Sequence, residues 1–334
     1  MIAFGPVPSR RLGRSVGINN IPPKICSYSC VYCQLGRTPK KKIERCSFYR
    51  PEDIIFASEE KVKTVINAGE DIDYLTFVPD GEPTLDSNLG LEIEMLKKLD
   101  IKIAVITNAS LLSRDDVRND LMGADWVSLK IDAGEEKTWH KINRPHHRLR
   151  FLDIVEGILT FAENYSGFLA TETMLVRDLN DSKKTLSDVA SLLSEIKPAL
   201  AYISIPIRPP AESWVRPPKA HAIASAYQIL CNMVPHVEVL ADYEGEFFAF
   251  TENLQEEILS ITAVHPMRED ALRKFLSRAG ANWDIVQELI DCGKLLEKDY
   301  GGRKYFLNTA VEPNLSLNSN KLRSNTALRS NIHE

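Results

Sequence analysis

The sequence predicts an α/β fold: an open or partial (β/α)6 barrel, then a small winged-helix-like α+β domain and a disordered tail. Three observations predict it. Strand-like and helix-like runs alternate to about residue 240, a short helix-rich unit with a hairpin follows, and the last stretch loses all periodicity. The expected boundaries are 1–240, 253–308 and 310–334. At 334 residues, 44% apolar and 26% charged, the chain can bury one large core and one smaller one.

Each element has its own signal. Arg14 to Asn20 reads as the first strand, and apolar positions Ile54, Ile55, Val62, Val65 and Ile66 mark the first helix. A strand at Asp73 to Val78 and a helix at Leu89 to Leu99 complete the first repeat of the unit. Further strands are expected at Lys102 to Thr107, Trp126 to Ile131, Phe168 to Val176 and Ala201 to Ile207. Helices near Arg114 to Leu121, Leu152 to Asn164 and Ser182 to Glu195 separate them, as crossovers between parallel strands require. An acidic, aromatic stretch from Asp242 to Phe248 marks the boundary.

Beyond it, Leu254 to Ile261, Arg268 to Ala279 and Trp283 to Cys292 read as helices. Lys294 to Asn308 reads as a hairpin turning at Gly301-Gly302. This is a winged-helix pattern, but eight basic against nine acidic residues from Leu254 to Asn308 favour packing on the barrel or a partner protein over DNA. Ala310 to Glu334, rich in Asn, Ser and Leu, is expected to be disordered.

Six cysteines are too sparse for a disulfide framework, no leading segment resembles a signal peptide, and a reducing cytoplasm is expected. The longest nearly apolar run, Pro198 to Ile207, is about half of the roughly 20 residues of a spanning helix, so no membrane contact is expected. The net charge of −5 conceals an asymmetry. Met1 to Arg50 holds ten basic residues and one acid, Glu44, and the loop from Ala133 to Arg150 adds a net +3. Charge of one sign gathered on one rim focuses an anionic ligand. The plainer alternative is a solvated basic face.

The sharpest signal is Cys26-Ser-Tyr-Ser-Cys30-Val-Tyr-Cys33, between the first strand and the first helix. A [4Fe–4S] cluster takes four ligands, so three thiolates leave one iron open. Cys46 lies thirteen positions on and is poorly placed to close the cage. Zinc is the alternative, although no fourth Cys or His stands at the usual spacing. Cys46, Cys231 and Cys292 are expected to be small buried side chains.

The run, with Tyr32 before its last cysteine, resembles the signature of the radical S-adenosylmethionine (SAM) superfamily. Gly81-Glu82 after the second strand is similar to that family's other recurring feature. The resemblance implies a radical SAM barrel over residues 1 to about 240, with Cys26, Cys30 and Cys33 as cluster ligands. It implies that S-adenosyl-L-methionine chelates the open iron and that an electron from the reduced cluster yields a 5′-deoxyadenosyl radical. Such an enzyme needs a reducing electron donor such as flavodoxin or ferredoxin. Gly5 to Gly13 and Asn143-Arg144-Pro145 resemble a poorly characterised branch grouped with wyosine-type tRNA synthases, without those relatives' extra cysteines.

Strand alternation sorts the remaining candidates. Val127, Leu129 and Ile131 suit a helix-facing side, which leaves Ser128, Lys130 and Asp132 toward the lumen. A lysine there is costly unless paired or functional, so Lys130 and Asp132 are the candidate catalytic residues. Glu172, Tyr202, Ser204 and Asn19 are assigned to the lumen on the same grounds. With Tyr32, Gly81 and Glu82, the resemblance makes Asn108, Ser128 and Glu172 the expected SAM contacts. The expected activity is reductive SAM cleavage on an anionic substrate, with RNA the favoured class and a small phosphorylated metabolite a further fit to the basic rim. The alternatives are an activase-like enzyme making a radical on a partner protein and a non-catalytic iron–sulfur redox regulator.

Overall fold

The computed structural model describes residues 1–240 and 253–309. The acidic stretch from Asp242 and the tail from Ala310 lie outside the described residues. Eight strands form one curled α/β sheet in sequential order: β1 (Ala3–Ser9), β2 (Gly13–Ile18), β3 (Tyr74–Phe77), β4 (Lys102–Thr107), β5 (Trp126–Lys130), β6 (Phe168–Met174), β7 (Leu200–Ser204) and β8 (Val237–Leu240). All neighbours are parallel except β1 and β2, a hairpin on one edge.

The sheet is a half-barrel with two more strands than the six expected. Residues 3–9 carry two prolines, which mask a strand but are tolerated at a sheet edge, where no ladder partner waits for the missing N–H. Strand β8 has four residues, too short for a periodic signal. The loop expected after β5 contains a helix, Glu136–Asn143, whose buried face is made largely of Thr138, Trp139 and Ile142.

Helices α1 (Pro51–Asn67), α2 (Leu89–Leu96), α3 (Asp115–Leu121), α4 (Glu136–Asn143), α5 (Phe151–Asn164), α6 (Lys183–Ile196) and α7 (Ala220–Cys231) connect the strands. Pro51 opens α1 where its missing N–H costs nothing, and Ser182 caps α6 by accepting from the Thr185 N–H at 3.2 Å. The outer core joins Val127, Leu129 and Ile131 to side chains such as Leu112, Phe161 and Leu193. Each fully buried aliphatic or aromatic side chain there contributes about 1.5–3 kcal/mol. Opposite faces of the same strands hold Ala104, Trp126, Ala170 and Tyr202, which with Leu12 from the hairpin turn make an apolar floor to the lumen.

The second unit comprises α8 (Leu254–Val264), β9 (Met267–Arg268), α9 (Glu269–Arg278), α10 (Asp284–Asp291), β10 (Leu295–Tyr300) and β11 (Arg303–Asn308). Its antiparallel sheet has the order β10-β11-β9 over its own core, centred on Phe275, Leu289 and Phe306. It packs on the half-barrel. Lys61 of α1 forms a buried ion pair with Glu257 at 2.9 and 3.0 Å, and the Tyr300 and Tyr305 hydroxyls donate to the Pro206 and Ile207 carbonyls at 3.0 and 2.7 Å. Among the described residues, no helix is long and apolar enough to cross a membrane.

Candidate active site

Cys26, Cys30 and Cys33 occupy the long loop between β2 and α1, where ladder-like bonds hold the chain. Ser29 N–H donates to the Asn143 carbonyl at 3.0 Å and Val31 N–H to Ile142 at 2.9 Å, so the end of α4 clamps both sides of Cys30. His146 N–H donates to the Ser27 carbonyl at 2.9 Å, and Lys42 N–H to Cys26 at 2.9 Å. Cys33 lies near enough to the other two thiols to affect both. Burial pushes the Cys26 thiol up to about 12, with Glu82 and Cys33 adding to it, and burial, Asp132 and Cys26 raise Cys30 as well. Metal loading must therefore displace protons from these sulfurs.

The donor set fits an iron–sulfur cluster. Three thiols share one loop, and polar N–H groups already face two of them: Tyr28 N and Asn108 Nδ2 lie 3.5 Å from Cys26 Sγ, and Asn143 Nδ2 lies 3.4 Å from Cys30 Sγ. Among the described residues, no group of three or more His, Cys, Asp or Glu side chains converges on a single metal ion, the loop cysteines included. A four-iron cube is wider than one ion, and its thiolates need not meet at a point. The other three cysteines differ from expectation: all are exposed, Cys46 in the loop before α1, Cys231 at the end of α7 and Cys292 just after α10.

Gly81 lets β3's end pass the cysteine loop. A Cβ there would sit 2.0 Å from the Ile25 carbonyl oxygen, to which Glu82 N–H donates at 2.9 Å. We expect Gly81→Ala to force that backbone apart, costing about 1–3 kcal/mol and lowering iron retention. Thermal unfolding and iron content would check this, and unchanged iron content would show that the close approach does not support the loop.

The Glu82 carboxylate is held by four donors. Oε1 accepts from the Thr84 hydroxyl at 2.7 Å, Thr84 N–H at 3.2 Å and Thr107 hydroxyl at 2.6 Å, and Oε2 accepts from Asn108 N–H at 2.7 Å. Burial raises its pKa while these donors oppose the shift. Asn108 is similarly used: besides Cys26, its amide donates to Ser27 Oγ at 3.0 Å, and its oxygen accepts from Ser110 N–H at 2.9 Å. Ser128 is buried on the lumen face of β5. Asn19 lies beyond the end of β2, where it accepts from Asp80 N–H at 3.2 Å.

Register places Lys130 beside Glu172, and Met174 beside Ser204. Lys130 Nζ donates to Glu172 Oε1 at 2.8 Å, Ser204 Oγ donates to the same oxygen at 2.7 Å, and Arg11 pairs with Oε2. Burial opposes the charge on Glu172, but Lys130 and Arg11 outweigh it and hold the carboxyl below its usual range. A second network starts 5.3 Å from Lys130, at the Tyr32 ring. The Tyr32 hydroxyl donates to Asp132, which also accepts from Asn143 Nδ2 at 2.7 Å and Met174 N–H at 2.8 Å. Burial raises the pKa of Asp132 against the opposing effects of Lys130 and Tyr32.

A cavity of about 260 Å³ lies beside these groups, lined by Tyr32, Cys33, Lys130, Glu172 and Ser204 together with Arg11 and Arg208. Asp132 is absent from its lining and stands behind Tyr32. The sequence shows Arg11 as charge and as part of a motif, and Asn143 as part of a motif. Neither carries a local signal of its role, because the partner of Arg11, Glu172, is 161 positions away.

Much of the basic rim is paired. Arg37 and Arg144 share Glu212, Arg45 meets Asp116 and Asp120, Arg50 meets Asp53, and Arg148 meets Glu44.

The radical SAM superfamily pattern matches residues 20–189. The chain is 48% identical over 308 residues to the UPF0026 protein MJ1312 of Methanocaldococcus jannaschii, spanning 92% of this chain and 95% of that one. It is 24% identical over 286 residues to an S-adenosylmethionine-dependent nucleotide dehydratase of Lacinutrix mariniflava, spanning 78% and 57%. A radical SAM methyltransferase from Sphaerobacter thermophilus shares the fold, with a TM-score of 0.52 at 13% identity, over 68% of this chain and 66% of that one. The chain belongs to the radical SAM superfamily.

Proposed function

We propose that this protein is an enzyme that holds a [4Fe–4S] cluster on Cys26, Cys30 and Cys33, cleaves S-adenosylmethionine reductively and acts on a small anionic substrate. When bound, the cluster supplies the electron for that cleavage, drawn from a donor such as flavodoxin or ferredoxin. One observation carries the reading: a cavity bounded by Cys33 on one side and by Arg11, Lys130 and Arg208 on others, with Glu172 among them. Its size suits a small molecule or one nucleotide unit rather than a duplex.

The residues divide the work. Lys130, held by Glu172, offers a positive charge to an anion in the cavity. Asp132 orients Tyr32, and Glu82 ties the ends of β3 and β4 together. Gly81 and Glu82, beyond the end of β3, remain the expected contacts of the SAM ammonium. Asn108 and Ser128 remain candidate contacts.

A phosphorylated small molecule is favoured over RNA. The paired arginines weaken the charge argument for a polymer, and a relative's name includes a nucleotide as substrate. Exposed Lys40, with Lys41 and Lys42 behind it, is what still supports RNA. An activase-like role needs the second unit free to dock a partner, whereas Tyr300 and Tyr305 bind it to the loop after β7. The winged-helix reading of that unit carries no DNA-binding role here, because α10 bears acids at Asp284, Glu288 and Asp291.

Anaerobic reconstitution, reduction and measurement of 5′-deoxyadenosine test the proposal. Cleavage is expected, faster with nucleoside phosphates than with bulk small RNA. Stimulation by RNA alone, with a salt dependence that replacing Lys40, Lys41 and Lys42 makes shallower, would reverse the substrate preference. No cleavage by a fully loaded, reduced protein with either would favour the redox regulator.

A further inference from the structure

We propose that Asn143 is a positioning residue that tunes the cluster electronically and connects it to the lumen network. The inference rests on the cluster assignment above and goes beyond it. One side-chain amide carries two hydrogens, and here both are directed: one toward Cys30 Sγ at 3.4 Å, the other toward Asp132 Oδ2 at 2.7 Å. Asp132 is buried and fixed independently by Met174 N–H at 2.8 Å and by the Tyr32 hydroxyl, so the amide cannot swing away from the sulfur without losing a charge-assisted bond. The Asn143 carbonyl is also fixed, accepting from Ser29 N–H at 3.0 Å. Backbone and side chain therefore hold the same cysteine from two directions.

The electronic consequence follows from charge. Reduction adds one negative charge to a cluster and its thiolates, and an N–H dipole pointing at a ligating sulfur stabilises the reduced form more than the oxidised one. Asn143 should thus make the cluster easier to reduce. Asn108 does the same at Cys26, but its amide also holds Ser27 Oγ, at 3.0 Å, whereas the Asn143 amide joins Cys30 to Asp132, the carboxylate that accepts from Tyr32 beside the cavity.

The test is a potentiometric titration of the reconstituted full-length chain followed by electron paramagnetic resonance, without SAM. Asn143→Leu, nearly isosteric and unable to donate, is expected to shift the midpoint negative by about a tenfold change in the reduction equilibrium, or ~59 mV for one electron. Asn143→Leu with full iron and sulfide but an unchanged midpoint would overturn the proposal and leave the cluster assignment intact. Absence of a cluster in the wild-type protein would instead overturn that assignment. Should the variant fail to load, a protein that keeps Asn143 decides: amide ¹⁵N in labelled asparagine should couple to the reduced cluster's spin in an Asn108→Leu background. No coupling would overturn the proposal.

Discussion

Replacing any one of Cys26, Cys30 and Cys33 by alanine is expected to remove bound iron and lower 5′-deoxyadenosine formation by on the order of 10³-fold or more, because an essential group is lost outright. The fold should persist. The three side chains sit in a loop, with Cys26 and Cys30 only partly packed against the core, so each deletion should cost on the order of 1 kcal/mol. The informative controls are Cys46→Ala, Cys231→Ala and Cys292→Ala. These thiols are exposed, and Cys46 N–H is held by the Leu85 carbonyl at 3.1 Å, so each variant should keep full iron. Iron and sulfide analysis with visible absorption would check the set. A triple alanine variant of the loop cysteines that still binds iron and cleaves SAM would end the cluster assignment.

That loop was legible because its chemistry is local: three cysteines within eight positions announce themselves whatever the fold does. The lumen-facing side of β5 was legible too, since alternation in Trp126 to Asp132 needs no tertiary knowledge. Arg11 shows where such reasoning stops. Its partner Glu172 is 161 positions away, and nothing near Arg11 separates a buried cation from a surface one. The same holds for the rim. Ten basic residues against one acid looked like an open electrostatic field, but Asp116, Asp120 and Glu212 come from other parts of the chain and neutralise much of it. Glu82 presents a subtler case: its position was clear from Gly81-Glu82, whereas the four donors that occupy its carboxylate come from Thr84, Thr107 and Asn108, two of them on or next to β4.

Because Glu172 pairs with both Lys130 and Arg11, Glu172→Gln should destabilise the protein by about 3–5 kcal/mol, taking the carboxylate away from Lys130 in a poorly hydrated lumen. On the scale of a large domain this lowers the thermal midpoint by on the order of 10 °C. The pH dependence gives a second readout. The Glu172 carboxyl is held below its ordinary range, so its contribution is fully present above that range and is lost as pH falls through it and then through the folded value. Wild-type stability should therefore fall on the acid side of about pH 4.5, and Glu172→Gln should show a shallower decline. Adding Lys130→Met to Glu172→Gln should recover part of the loss by removing one stranded charge, with a coupling of about 1–3 kcal/mol. Chemical denaturation of wild type, Glu172→Gln, Lys130→Met and the double variant from pH 7 down to about pH 3 would measure this coupling and the acid slope. If Glu172→Gln unfolds within about 2 °C of wild type with the same acid slope, the three groups are solvated rather than a buried triad. Lys130 would then have to be read as an ordinary surface lysine, and its role in the cavity would fall with it.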